Sequence, residues 1–355
     1  MPEPARIGSY REDDVTILLT DLSGTCSDGP ARSVRRSAPG LPDRILPPAE
    51  YQPSARYLAL VRALVARSAD RVALACAALA EQILSRRGSG LVMLSIARAG
   101  TPVGVLLKRW IRYSHGQETP HYSISVARDA GLDLNAVEWL CQRHDPACLQ
   151  FVDAWTSKGT IQATLESAVS ELGFPGLDPT LAVLTDQASC TDLFATRQDV
   201  ILPHACLGAT MSGLLSRTFP NPQPRGDDGF HAVLWYPEQA RDDFSNRYIE
   251  TISSRYPAIR GRVRDAVRCA RRSAGPDGRG LQHAHTIARR YGAADFDLVN
   301  VGTSESTRAF FRRKPDLLLV HPRAGEQVAH LLQLADERDV TVCEEPSMPF
   351  RAALL

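Results

Sequence analysis

The sequence predicts an α/β protein with a mostly parallel sheet, followed by a smaller α/β unit toward the C-terminal end. Three observations predict it. Short apolar runs alternate with stretches of helical apolar spacing, the pattern of strands joined by helical crossovers. Two of those runs end in small-residue turns that contain glycine and open directly into helices. A Gly/Pro-rich stretch, 273–280, then precedes a second, shorter round of the same alternation.

In chain order, Ser54 and Asp70 act as start signals for helices over 54–67 and 70–85. Strands are expected at 91–97, 122–126, 149–153, 182–185, 200–202 and 231–235, with helices over 101–113, 134–142 and 160–172 between several of them. Ligands of such a sheet belong at its carboxyl edge. Seven arginines (Arg255, Arg260, Arg262, Arg264, Arg268, Arg271, Arg272) crowd a segment whose spacing over 252–270 predicts a basic helix. The last unit reads as a helix over 282–291, a strand at 298–300, a turn and helix start at 302–308, a strand at 316–320, a helix over 326–338 and a strand at 340–343. The expected organisation is therefore 1–240, a basic helix and linker over 241–281, and 282–355.

The most informative stretch is Phe151-Val152-Asp153-Ala154-Trp155-Thr156-Ser157-Lys158-Gly159-Thr160, which reads as strand, acid, small polar loop and helix start. Thr156, Ser157 and Thr160 offer hydroxyl donors, Gly159 lets backbone close on an anion, and the helix beginning there directs free amides at the same place. The Lys-Gly-Thr order is not a Walker A loop, and one glycine does not make a dinucleotide fingerprint. Upstream, Arg98-Ala99-Gly100-Thr101 follows the 91–97 strand and opens the next helix, repeating the logic, with Gly100 permitting close approach. Between the two lies an alternating strand ending in Arg128-Asp129.

Strand, acid and Thr/Ser/Gly turn resemble the phosphoribosyl diphosphate loop of type I phosphoribosyltransferases. The usual second acid is missing, because Val152 precedes Asp153. The resemblance implies a 5′-phosphate loop of Thr156, Ser157, Lys158, Gly159 and Thr160, and a pyrophosphate loop of Arg98, Ala99, Gly100 and Thr101. Asp153 would hold the ribose, and indirectly Mg²⁺ carried by phosphoribosyl diphosphate; Arg128 would neutralise departing pyrophosphate. More specifically, Gly8-Ser9-Tyr10, Asp13-Asp14-Val15, Leu46-Pro47-Pro48-Ala49-Glu50-Tyr51, the two loops, His121-Tyr122-Ser123 and His204-Ala205-Cys206-Leu207-Gly208 through Ser216-Arg217-Thr218 together resemble the StiP family. These are bacterial proteins associated with tellurite-resistance and stress-response gene clusters, in which a phosphoribosyltransferase-like domain precedes a Pelota/L7Ae-like RNA-binding domain.

That resemblance implies an enzyme transferring ribose 5-phosphate to a base-like acceptor, with Asp129, Cys206, Ser216, Arg217 and His231 as acceptor-side or accessory residues. Arg308, Arg312, Arg313 and Lys314 are implied as RNA phosphate contacts, and a homodimer is compatible with it. Two alternatives stand beside it: a ribose-phosphate sensor without catalysis, and, because the family carries the label cysteine protease, a nucleophilic Cys206. The Ala205-Cys206-Leu207 setting is that of a buried structural thiol.

A net charge of +1 predicts no strong whole-chain attraction to nucleic acid or membrane. Eight cysteines without a CxxC pair give neither a zinc knuckle nor a disulfide framework, so a reducing cytoplasmic setting is expected. Residues 1–6 lack the apolar core of a secretory leader.

Overall fold

Strands with apolar residues on both faces build the main sheet in a computed structural model that describes residues 4, 6–23, 50–127, 130–222, 229–273 and 275–355. β1 (Thr16–Ile17) is followed by β2 (Thr20–Asp21), which lies outside that sheet. α1 (Ala55–Arg87) then leads to β3 (Val92–Ala97), α2 (Gly100–His115) and β4 (His121–Ala127). β5 (Gly131–Leu132) and α3 (Leu134–Cys141) come next, followed by β6 (Leu149–Thr156), α4 (Thr160–Leu172), β7 (Ala182–Asp186) and β8 (Leu193–Thr196). The order is β1-β4-β3-β6-β7-β8, parallel throughout, with β5 antiparallel on β4.

The two faces fill from opposite sides. Val61, Leu64 and Val65 of α1 and Val103 and Leu106 of α2 pack on Met93, Val152, Ala182 and Leu184. Ala136 and Val137 of α3 and Leu165 and Val169 of α4 pack on Leu94, Phe151 and Val183. β3 connects to β4 on one side, and the chain then returns to lay β6 on the other side of β3. The β3–β6 boundary is thus the topological switch point, where the carboxyl ends of open α/β sheets leave a crevice.

β9 (Ala232–Val233) pairs in parallel with β2. α5 (Ser245–Ser253), α6 (Tyr256–Ile259) and α7 (Val263–Arg271) bury Tyr248, Ile249, Ile252, Tyr256, Ile259 and Val263 in the same core as α1 and α2. α8 (Arg279–Arg290) opens the last unit, where β10 (Asn300–Val301), β11 (Leu317–Val320), β12 (Thr341–Glu344) and β13 (Ala352–Leu354) form a sheet in the order β10-β13-β11-β12. α9 (Thr303–Arg312) and α10 (Ala329–Arg338) cover it. Phe310, Phe311, Leu331 and Leu334 belong to the same apolar cluster as Tyr57, Leu202 and Cys206, so the two units share a core.

Several sequence expectations change. The helices expected over 54–67 and 70–85 are one, because the buried stripe Val61, Leu64, Val65, Ser68, Ala69, Val72 runs unbroken and the Ser68 hydroxyl donates back to the Leu64 carbonyl at 2.6 Å. Residues 200–202 are not a strand; the sheet edge is Leu193–Thr196, and the Leu202 amide donates to the Ser304 hydroxyl. The expected strand at 231–235 shortens to Ala232–Val233. The single basic helix over 252–270 is broken into three pieces.

Candidate functional site at the switch point

After β3 the Ala97–Arg98 peptide is cis. The Arg98 side chain, 4% exposed, turns inward, donates from Nη1 to the Leu215 carbonyl at 2.8 Å and pairs through Nη2 with Glu50. Glu50 in turn accepts the Ala209 amide at 3.0 Å. α2 begins at Gly100, which is pressed against β6. A Cβ there would lie 2.6 Å from the Val152 carbonyl oxygen and 3.1 Å from Asp153 Cα, so only glycine allows the two strand ends to meet this closely. Thr101 spends its hydroxyl on Ser123 at 2.7 Å.

Asp153 is buried, and its Oδ1 accepts the Ala154 amide at 2.7 Å. Burial pushes its carboxyl up to about 7, with the Ala154 amide and Arg308 pulling against it. Next along β6, Trp155 Nε1 donates to Glu305 of α9 at 3.0 Å. Thr156 donates to Asp186 at 2.5 Å, and Asp186 also holds the Cys190 and Thr191 amides and pairs with Arg197. The loop is then Ser157-Lys158-Gly159. Gly159 sits at φ +81° and precedes α4 with no side chain capping its first amides. Lys158 Nζ donates to the Phe296 carbonyl at 2.9 Å and lies 4.4 Å from that ring's centroid, while Thr160 is exposed. At about 3.3 Å per strand residue, Ser157 lies roughly 13 Å along the chain from Asp153.

The structure therefore brings Arg98, Ala99, Gly100 and Thr101 together with Asp153 on one sheet edge, and sets the Ser157–Gly159 loop further out on the same strand. Arg128 and Asp129 lie outside the described residues.

Cys206 is fully buried, and burial pushes its thiol well above the usual range; its carbonyl accepts the Tyr57 hydroxyl at 3.0 Å. Ser216 donates to the Arg217 carbonyl and accepts the Leu234 amide, knitting two backbone segments together. Arg217 adds positive potential at Arg98. His231 places Nδ1 3.0 Å from the Ser125 hydroxyl and donates its backbone amide to Asp133 at 2.6 Å; burial lowers its pKa and Asp133 opposes this.

The expected RNA-contact residues scatter. Arg308 is 1% exposed, with its guanidinium carbon 5.9 Å from the Trp155 ring. Arg312 is 3.5 Å from Glu305, Arg313 donates to the Leu298 carbonyl and to Asn300, and Lys314 is exposed. The turn that starts α9 is docked against the main sheet's loops: Thr303 donates twice to Asp199, at 2.9 and 2.7 Å, and a Cβ on Gly302 would lie 2.5 Å from Gln187 Oε1. Arg308 in this arrangement is an interior group facing the sheet edge, unavailable to an RNA backbone, which corrects its place among the surface contacts.

Tyr10, Trp155 and Glu305 are site neighbours that the sequence did not single out, and His204 stood out only for its place two residues before Cys206. His204, fully buried with Nδ1 3.1 Å from the Tyr248 hydroxyl, has its pKa lowered to about 3 by burial and by Arg308. Glu305, Arg308 and Arg312 at i, i+3 and i+7 share one helix face, a spacing that was visible in the sequence.

No helix among the described residues is long and apolar enough to cross a membrane. Comparison with known proteins adds two family matches. Residues 8–253 match the family described as "Tellurite-like stress resistance cysteine protease StiP", and residues 278–355 match the "PELOTA RNA binding domain". A relative from Acinetobacter baylyi (strain ATCC 33305 / BD413 / ADP1), named "Cysteine protease StiP", is 30% identical over 365 aligned positions covering 98% of this chain and 93% of its own length. With the first match spanning most of the chain and the relative aligned nearly end to end, this chain belongs to the StiP family and carries a Pelota-type C-terminal unit.

Proposed function

We propose that the chain transfers ribose 5-phosphate from phosphoribosyl diphosphate to a base-like acceptor at the β3–β6 switch point. The observation that carries this reading is the direct apposition of Gly100 and Asp153 where β3 and β6 end, in the loop that also carries the buried Arg98. In the step, the anomeric C–O bond breaks and pyrophosphate leaves with the bonding pair. An acceptor nitrogen then forms the new bond and releases its proton to water. Developing positive charge on the sugar falls near Asp153, and developing negative charge on the leaving group falls near Arg98. The open amides at the start of α4 suit the 5′-phosphate.

Magnesium held by the protein itself does not fit this donor set. Asp153 has Arg308 and a single further carboxylate, Glu305, as its charged neighbours, and no cluster of three or more His, Cys, Asp or Glu side chains suited to a metal occurs among the described residues. The metal enters this reading only as part of the diphosphate substrate.

A second reading, a ribose-phosphate sensor without turnover, is favoured by Val152. That side chain is fully buried in the core and leaves Asp153 without the usual adjacent acid. The relative's name raises proteolysis for this chain too. A cysteine nucleophile needs a thiolate beside a base, but Cys206 has a raised pKa, and no hydrogen bond joins a thiol to a histidine among the described residues. Pyrophosphate release from phosphoribosyl diphosphate across a panel of purine, pyrimidine and nicotinate-type bases tests the assignment. Release that depends on an acceptor is expected; binding without release establishes the sensor, and peptide cleavage lost in Cys206→Ala overturns both.

A further inference from the structure

The C-terminal unit brings to the sheet edge a buried charge that no group among the described residues pairs directly. Arg308 is 1% exposed, yet Nε, Nη1 and Nη2 all lack a hydrogen-bond partner among the described residues. Nε of Arg98, Nε of Arg312 and the hydroxyl of Tyr10 are likewise buried and unpartnered. These groups share one electrostatic neighbourhood. Burial, then Arg308 and Arg312, lower the pKa of Arg98, while Arg308 and Arg98 both act on Tyr10. Arg308 is lowered only to about 10, so it remains charged at neutral pH.

Buried guanidinium groups are ordinarily paired and forked onto an oxyanion, because an unpaired buried charge is among the most costly features a fold can carry. Glu305 and Asp153 favour the charge on Arg308 from a distance, but no carboxylate among the described residues hydrogen-bonds or ion-pairs with it. Glu50 is paired with Arg98, Glu305 is held by Trp155 Nε1 and Arg312, and Asp153 accepts the Ala154 amide. The unpartnered nitrogens of Arg308 suit an anion with several acceptor oxygens.

We propose that Arg308 is an anion-binding residue, and that its three unpartnered nitrogens, with Nε of Arg98 in the β3 loop as an added donor, hold a diphosphate-class group between the two units. The site uses the first turns of α9 as its roof, fixed by Thr303 to Asp199 and by the Leu202 amide to Ser304. A ligand there adds a further tie between the C-terminal unit and the main sheet, on which the α9 turn is already docked. The inference does not require the transfer reaction, since any phosphorylated anion of this size satisfies the same donors.

The test uses the full chain with inorganic pyrophosphate and inorganic phosphate as probes. Wild type is expected to bind pyrophosphate saturably and more tightly than phosphate, with slowed amide exchange over 303–312. Arg308→Met is expected to weaken pyrophosphate at least about 30-fold, the range for truncating one partner of a buried charge pair. Without ligand it should melt at or above the wild-type temperature, because it removes an unpaired buried charge. Arg308→Lys, which keeps the charge but not the fork, should fall between. Equal pyrophosphate affinity in wild type and Arg308→Met, no binding by wild type, or an Arg308→Met chain that melts lower in buffer alone overturns the proposal. Pyrophosphate binding that depends on Arg308, but with no transfer to any base, leaves it standing and sinks only the enzymatic reading.

Discussion

Replacing Gly100 by alanine probes the contact on which the site is built. The added methyl carbon would lie 2.6 Å from the Val152 carbonyl oxygen, 3.1 Å from Asp153 Cα and 3.3 Å from Asp153 Oδ1. The first two neighbours are backbone atoms of β6, a strand paired on both sides by β3 and β7, so neither can swing away as a flexible side chain would. Relief requires the Arg98 loop and β6 to separate by several tenths of an ångström, and overpacking of this kind costs about 1–3 kcal/mol. Urea unfolding of Gly100→Ala, followed by tryptophan fluorescence, should show a loss in that range, together with weaker pyrophosphate binding as Arg98 and Asp153 part. Gly261→Ala is the control: nothing lies within 4 Å of its added carbon, and a change within about 0.5 kcal/mol is expected. A Gly100→Ala chain that matches wild type in both stability and binding would falsify the close apposition.

Two further predictions concern ionisation and thiol chemistry. Asp153 is raised to about 7 in the folded chain, mainly by burial, from 3.8 for the free group. Between these values the folded state holds a proton that the unfolded state has released, so stability falls as pH rises through the window, at up to about 1.4 kcal/mol per unit. Asp153→Asn should remove that fall. Its urea midpoint should match wild type near pH 4 and exceed it at pH 8, whereas a variant less stable than wild type at pH 8 contradicts the burial argument. Among the described cysteines, iodoacetamide should modify the exposed Cys269 and Cys343 first in native chain and leave Cys206 untouched until unfolding; rapid native labelling of Cys206 would reopen it as a nucleophile.

Much of the main sheet was legible because its signals are local. Buried runs at 91–97 and 149–153 correspond to β3 and β6, and α4 covers Thr160–Leu172 where helical spacing placed a helix. The expected mostly parallel α/β plan with a small C-terminal unit is what the chain adopts. Local signals misled where a longer pattern overrode them. Asp70 reads as a helix start, but in α1 it is a surface acid paired with Arg255. The basic stretch breaks because Pro257 and Gly261 punctuate it. β13, three residues near the chain end after Pro349, is too short to stand out and becomes a strand only by pairing with β10 and β11.

The site divides in the same way. Gly100, Asp153 and the loop before α4 follow from their own segments. The burial of Arg308 follows from a contact between segments some 150 residues apart, Trp155 with Glu305, which no local pattern encodes. Thr156 illustrates the converse: its hydroxyl suits a phosphate on paper, but it is taken by Asp186, whose position depends on the strand neighbour.

The central claim is that the crevice recognises an activated sugar, with the diphosphate held by arginines and the ribose by Asp153. Calorimetric titration of the full chain and of Asp153→Ala, each with phosphoribosyl diphosphate and with pyrophosphate, separates those two parts. Wild type is expected to bind both, and Asp153→Ala to lose at least about tenfold for phosphoribosyl diphosphate while holding pyrophosphate as before. Failure of wild type to bind phosphoribosyl diphosphate, or an Asp153→Ala chain that binds it as tightly as wild type, would contradict it.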